Sequence, residues 1–375
     1  MNEQSLVLLD QLAQHGISRR KFLRYCATLA SLMALPHSAG RAFAEALVKA
    51  PRPSVIWLSF QECTGCTEAI TRSHSPTLEG LLFNSISLDY HHTLQAAAGN
   101  AAEAAREEAM KRHWGKYLLV VDGSVPMKDG GIYSTIAGVS NYDLLMATAR
   151  GAAAVIAVGS CAAFGGLPKA NPNPTGAVAI ADLVKDKPVI NLPGCPPIPV
   201  VMTGVLAYYL TFGALPELDT IGRPKSFYGE TIHDRCYRRP FYDQGKFAKS
   251  FDDAGARQGW CLFELGCKGP ITHNACATVK WNDSLSFPIG SGHGCLGCSE
   301  PGFWDGGDFY RALSLPANPL NDMTGSVAVG LAVGTSMAVS NRLLKKMAVA
   351  VHTPAVLADL KQEKSTISPL EGRCL

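Results

Sequence analysis

Charge of one sign is what this 375-residue chain has least of. Lys and Arg number 34 against 31 Asp and Glu, a surplus of +3. That surplus sits in residues 1–44, where Arg19, Arg20, Lys21, Arg24 and Arg41 face only Glu3 and Asp10. The remaining residues sum to zero, so no basic field exists to attract nucleic acid. Also missing is the GxxxxGK[ST] phosphate loop; the glycines of Gly159–Gly166 surround a cysteine where phosphate would have to sit. Charged residues make up only 17% against 47% hydrophobic, which excludes a disordered chain. Past Gly222 hydrophobic periodicity runs out too, and Gly, Pro, Asp and aromatics take over. A core that thin needs staples.

Cysteine is not scarce: there are twelve. In an exported chain the first expectation is disulfides. Ser18-Arg19-Arg20-Lys21-Phe22-Leu23, the apolar run Tyr25–Leu35 and the small-residue site Ala42-Phe43-Ala44 resemble a twin-arginine (Tat) export signal. Cargo of that system crosses the membrane folded, so the thiols meet a reducing cytoplasm first and stay available for metal. Cys26 lies within the signal. Near the other end, the run from 324 to 344 is long enough to cross a bilayer as a helix, about 30 Å. Lys345 and Lys346 follow it, placing the tail 345–375 in the cytoplasm and the main body outside.

Between these ends the first domain, 45–222, alternates apolar runs with helical stretches. Ser54–Phe60, Ser85–Tyr90, Tyr117–Val121, Ala152–Val158 and Pro188–Leu192 read as buried strands, and Ala96–His113 as a helix. The pattern predicts an α/β fold, a flavodoxin-like, doubly wound parallel sheet. Such sheets bind ligands beyond the carboxyl ends of their strands. Cys63, Cys66, Cys161 and Cys195 all follow a strand, so four thiolates are expected to converge in one crevice. Four thiolates suit a [4Fe–4S] cluster, and they also suit zinc.

The second domain, 223–320, is expected to be smaller and mostly irregular. His233-x-x-Cys236 with Cys261 and Cys267 makes a second four-ligand set. Cys276, Cys295 and Cys298 remain, and a fourth is lacking; Pro288 stands where one would be expected. Three thiolates suit a three-iron cluster. Cys374 is left as a plain thiol.

Glu62-Cys63-Thr64-Gly65-Cys66-Thr67-Glu68, Gly159-Ser160-Cys161, Pro193-Gly194-Cys195-Pro196-Pro197 and the His233–Cys298 pattern resemble the small subunit of membrane-bound [NiFe] hydrogenases. The resemblance implies a proximal [4Fe–4S] cluster on Cys63, Cys66, Cys161 and Cys195. It implies a medial [3Fe–4S] cluster on Cys276, Cys295 and Cys298, and a distal [4Fe–4S] cluster on His233, Cys236, Cys261 and Cys267. It also implies that hydrogen is split at a Ni-Fe centre on a separate large subunit, with no catalytic residue here. A heterodimer, or a dimer of heterodimers, would hand electrons to a b-type cytochrome or similar quinone-reducing membrane subunit from the periplasmic side. The family's oxygen-tolerant branch carries extra cysteines around the proximal cluster; here Gly65 holds one such position and Ser134 lies near the other, so a standard cubane is expected. Two rivals remain: the quinone-side subunit of complex I, which shares the first domain but should lack the His233–Cys298 region, and an exported zinc-stapled protein without redox function.

Overall fold

The computed structural model describes residues 19–33, 35–36, 38–40, 52–74, 77–80 and 86–313. Five parallel strands form its central sheet: β1 (Ser54–Ser59), β2 (Ser87–His91), β3 (Tyr117–Asp122), β4 (Ala152–Val158) and β5 (Val189–Leu192). Their order is β2-β1-β3-β4-β5, the flavodoxin-type order, so strand order reverses between β1 and β3. β1 is buried along its whole length because the sheet is covered on both sides. Its alternate residues serve two cores, Val55 and Trp57 one, Ile56 and Leu58 the other. A continuous apolar run is what that burial demands.

The described helices of six residues or more are α1 (Arg19–Leu32), α2 (Gly65–Thr71), α3 (Asn100–Arg112), α4 (Asn141–Ala149), α5 (Gly159–Phe164) and α6 (Pro199–Phe212). α3 starts four residues later than its Ala-rich sequence predicts, because Gly99 takes a positive φ of 56° that no helix contains. Glu103 in its first turn and Lys111 and Arg112 in its last complement the helix dipole. Ser140 caps α4 by accepting the Asp143 N–H at 3.1 Å. α6 is apolar nearly all round, and Val201, Met202, Val205 and Leu206 are buried against the Val55 face of the sheet. The twin arginines open α1, which buries Cys26 and Ala30.

Beyond residue 222 no described helix exceeds five residues. This region still joins the α6 side of the core through Phe227, Leu262, Phe287 and three of its own cysteines, Cys267, Cys276 and Cys295. Among the described residues no helix is long and apolar enough to cross a membrane. The run 324–344, like the tail and Cys374, lies outside the described residues.

Candidate metal centres

The first sulfur set is built by loops leaving β1, β4 and β5. Cys63 precedes α2, Cys66 lies in its first turn, Cys161 sits in α5 directly after β4, and Cys195 follows β5. These strands flank the reversal point, so the loops turn toward one crevice. The Cys66 thiol is pushed well above the usual range by burial, then by the Asp122 carboxylate and by Cys161, Cys195 and Cys63 beside it. The Cys161, Cys195 and Cys63 thiols are thus near enough to act on Cys66. Burial pushes Cys161 up to about 12, opposed by the N–H of Leu167 aimed at its sulfur. Backbone must pass close to these sulfurs: a Cβ on Gly159 would overlap Cys66 Sγ, and one on Gly166 would overlap Cys161 Sγ. Both glycines have positive φ. Gly166 is thus a position where a side chain would meet the set, whereas Ser134 is bonded into the turn before the Thr135–Ser140 hairpin through Gly131 and Asn141.

The second set lines one cavity, whose wall includes His233, Cys236, Cys261 and Cys267. His233 is presented by a short 3-10 turn, Ile232–Arg235, fixed by a reciprocal Thr231–Asp234 capping box. Burial, then the Arg239 charge, lowers the His233 pKa and keeps the imidazole neutral, the form that binds metal. Tyr242 meets its ring edge-on at 4.6 Å. Cys267 Sγ accepts the Cys295 N–H at 3.3 Å, and the Cys236 carbonyl accepts the Arg239 N–H at 3.0 Å.

The third set is the most buried. Cys276 and Cys295 are 4% and 6% exposed, and Cys298 is partly buried. Burial pushes Cys276 and Cys298 each up to about 12; Cys295 adds to the first and Cys276 to the second. The Gly297 N–H lies 3.4 Å from Cys295 Sγ. Pro288 is exposed, between buried Phe287 and Ile289.

The sets abut in a definite order. Ser160, next to Cys161 in the first, donates its hydroxyl proton to the Cys298 carbonyl of the third and accepts the N–H of Gly194, next to Cys195, at 3.0 Å. The N–H of Cys295, in the third, donates to Cys267 Sγ, in the second, at 3.3 Å. All eleven described cysteines are free of disulfides. Among the described residues no three His, Cys, Asp or Glu side chains crowd together as ligands of a single ion do. Thiols in sets of three and four, some with a backbone amide on sulfur, are donors that an anionic iron–sulfur cluster takes.

Three features of the sites were not read from the sequence. Asp122, ending β3 behind Cys66, is fully buried, and burial raises its carboxyl. Its Oδ2 accepts from Thr67, which pairs with His91 Nε2. Burial, then Asp122, pushes Glu62 up to about 7. Arg223, buried between the two regions, pairs with Asp219 at 2.7 Å and Glu300 at 3.0 Å, and Glu300 in turn accepts the His273 N–H at 2.6 Å. An acidic residue ending a buried strand was the only signal available for any of them.

Comparison with known proteins decides the family. A profile for the C-terminal part of the NiFe/NiFeSe hydrogenase small subunit matches residues 228–311. A second, "NADH ubiquinone oxidoreductase, 20 Kd subunit", matches 63–209. The uptake hydrogenase small subunit of Azotobacter vinelandii is 48% identical over 332 residues, 88% of this chain and 93% of that protein. The chain belongs to the [NiFe]/[NiFeSe] hydrogenase small-subunit family. The hydrogenase-1 small chain of Escherichia coli is 46% identical over 322 residues, 85% of this chain and 87% of that one. In three dimensions the [NiFeSe] hydrogenase of Desulfomicrobium baculatum superposes with a TM-score of 0.66 at 34% identity, covering 70% of this chain and all of that one. The recombinant [NiFeSe] hydrogenase of Desulfovibrio vulgaris Hildenborough gives 0.66 at 36%. The two profiles explain the complex I rival: its likeness covers the sheet region, while the hydrogenase small-subunit profile covers the region that rival should lack.

Proposed function

We propose that this chain carries electrons between a Ni-Fe site on a large-subunit partner and a membrane quinone-linked acceptor, through three iron–sulfur clusters. Cys63, Cys66, Cys161 and Cys195 would hold the proximal [4Fe–4S] cluster, Cys276, Cys295 and Cys298 the medial [3Fe–4S], and His233, Cys236, Cys261 and Cys267 the distal [4Fe–4S]. When bound, such clusters supply one-electron transfer without making or breaking bonds to substrate. What the chain supplies is position. The observation that carries this reading is the pair of bonded junctions, Ser160 between Gly194 and Cys298 and the Cys295 amide on Cys267 Sγ, which joins the three sulfur sets end to end.

Exposure supports the direction of the file. Cys63 and Cys195 are exposed, whereas Cys267, Cys276 and Cys295 are buried. On the loops around the first set, Leu167, Ile132 and Tyr133 are exposed apolar side chains. These loops are tied together by Gln61–Ser124, Met127–Gly176 and Lys128–Thr175 bonds, so they form one rim that a large subunit would cover. The division into a signal at 1–44, a sheet domain at 45–222, a cluster domain at 223–320, an anchor at 324–344 and a tail at 345–375 is part of the same proposal. Family membership and the twin-arginine signal support a periplasmic position. A tag on this chain should co-purify a nickel-containing companion in near one-to-one amount, with iron in the pair. A chain that comes away alone, colourless and rich in zinc, would overturn the proposal.

A further inference from the structure

We propose that Ser160 is the positioning residue of the first junction, locking Cys298 to the Cys195 loop so that an electron can cross from the first sulfur set to the third. This rests on the electron-transfer reading above. Ser160 is 2% exposed and immediately precedes Cys161. Its hydroxyl accepts the Gly194 N–H at 3.0 Å and donates to the Cys298 carbonyl, a residue 138 positions away. Its own N–H donates to Gly194 O at 2.9 Å. One side chain thus touches the loops of Cys161, Cys195 and Cys298 together. A hydroxyl can give one bond and receive another at once, which no alanine can do. Without it the Gly194 N–H and the Cys298 carbonyl lose their shared partner inside the protein.

The second junction is made differently. There the Cys295 amide meets the ligand sulfur Cys267 Sγ directly, 3.3 Å apart, with no third residue between them. A substitution at Ser160 therefore loosens one junction and leaves the other as an internal reference. In the crossing itself one electron leaves the first set and one arrives at the third; no bond forms and no proton moves. Its rate then depends on separation and on the continuity of the bonded path, which are the two things Ser160 holds.

The test uses the assembled heterodimer carrying Ser160→Ala, with Ser160→Thr as the variant that keeps a hydroxyl. After rapid mixing with hydrogen and freezing, EPR reads the rate at which the three-iron signal disappears. The expected result is a several-fold slower loss in Ser160→Ala, recovery toward the parent rate in Ser160→Thr, and full iron content in both. An alanine variant with all three centres and the parent rate overturns the proposal. Absence of the three-iron signal from the parent protein would instead sink the cluster reading on which it rests. Should the alanine variant fail to assemble, a crystal structure of the parent heterodimer decides. Ser160 Oγ bonded to both Gly194 N and Cys298 O upholds the proposal, and Oγ out of reach of either overturns it.

Discussion

The sheet region and the cysteine-rich region hold their sulfurs in opposite ways. In the first, a five-stranded sheet whose β1 and β3 are buried along their whole length forms the scaffold, and the cysteines ride on its rim, two of them exposed. In the second, helices are no longer than five residues and the cysteines themselves are core, with Cys261, Cys267, Cys276 and Cys295 all under 9% exposed. On the proposed function, metal would decorate one region and complete the other, where binding free energy would be folding free energy, as in other small metal-stapled units.

The largest effect should come from removing iron. Chelation of the purified protein is expected to abolish amide-exchange protection across 228–311 while β1, β3 and β4 stay protected. Equal loss in both regions would erase the distinction. Next is the joint between them. Arg223 is buried against Asp219 and Glu300, so Arg223→Met strands two carboxylates and should cost about 3–5 kcal/mol in denaturant unfolding. A cost below about 1 kcal/mol would mean that the joint is not closed.

A third effect belongs to the sheet alone. His91 is 0% exposed, and burial, then His92, lowers its pKa from 6.5 to about 4. Its Nδ1 accepts the Thr93 N–H at 3.2 Å, leaving Nε2–H for Thr67, so the native ring is neutral. With the folded pKa below the unfolded one, the unfolded chain takes up the proton first. Stability is therefore full above pH 6.5 and falls as pH drops toward 4, by about 3 kcal/mol at most. Asp122 titrates with the opposite sign, its raised carboxyl favouring the fold at low pH. Comparison with His91→Gln isolates the histidine's share: the decline between those pH values should flatten in the variant, and an unchanged decline would refute it. Smallest is the cap of α4, where Ser140→Ala should cost about 1 kcal/mol in thermal unfolding and leave iron content untouched.

The same contrast explains what was legible in the sequence. Strands covered on both faces are continuous apolar runs, so Ser54–Ser59 and Ala152–Val158 announced themselves, and Cys63, Cys66, Cys161 and Cys195 could be placed at strand ends. Residues that act between distant segments could not be seen. Ser160 meets Cys298 across 138 positions and Arg223 meets Glu300 across 77, and no local pattern encodes either partner. The irregular region was legible only as a list of ligands; which sets abut depends on single long-range bonds that leave no periodic trace.

Iron counting joined to Mössbauer and EPR spectroscopy on the intact heterodimer tests the central claim most directly. The account predicts about eleven irons assignable to this chain, four in each of two cubanes and three in a separate three-iron centre. Two centres instead of three, or zinc in place of iron on the His233–Cys298 ligands, would contradict it.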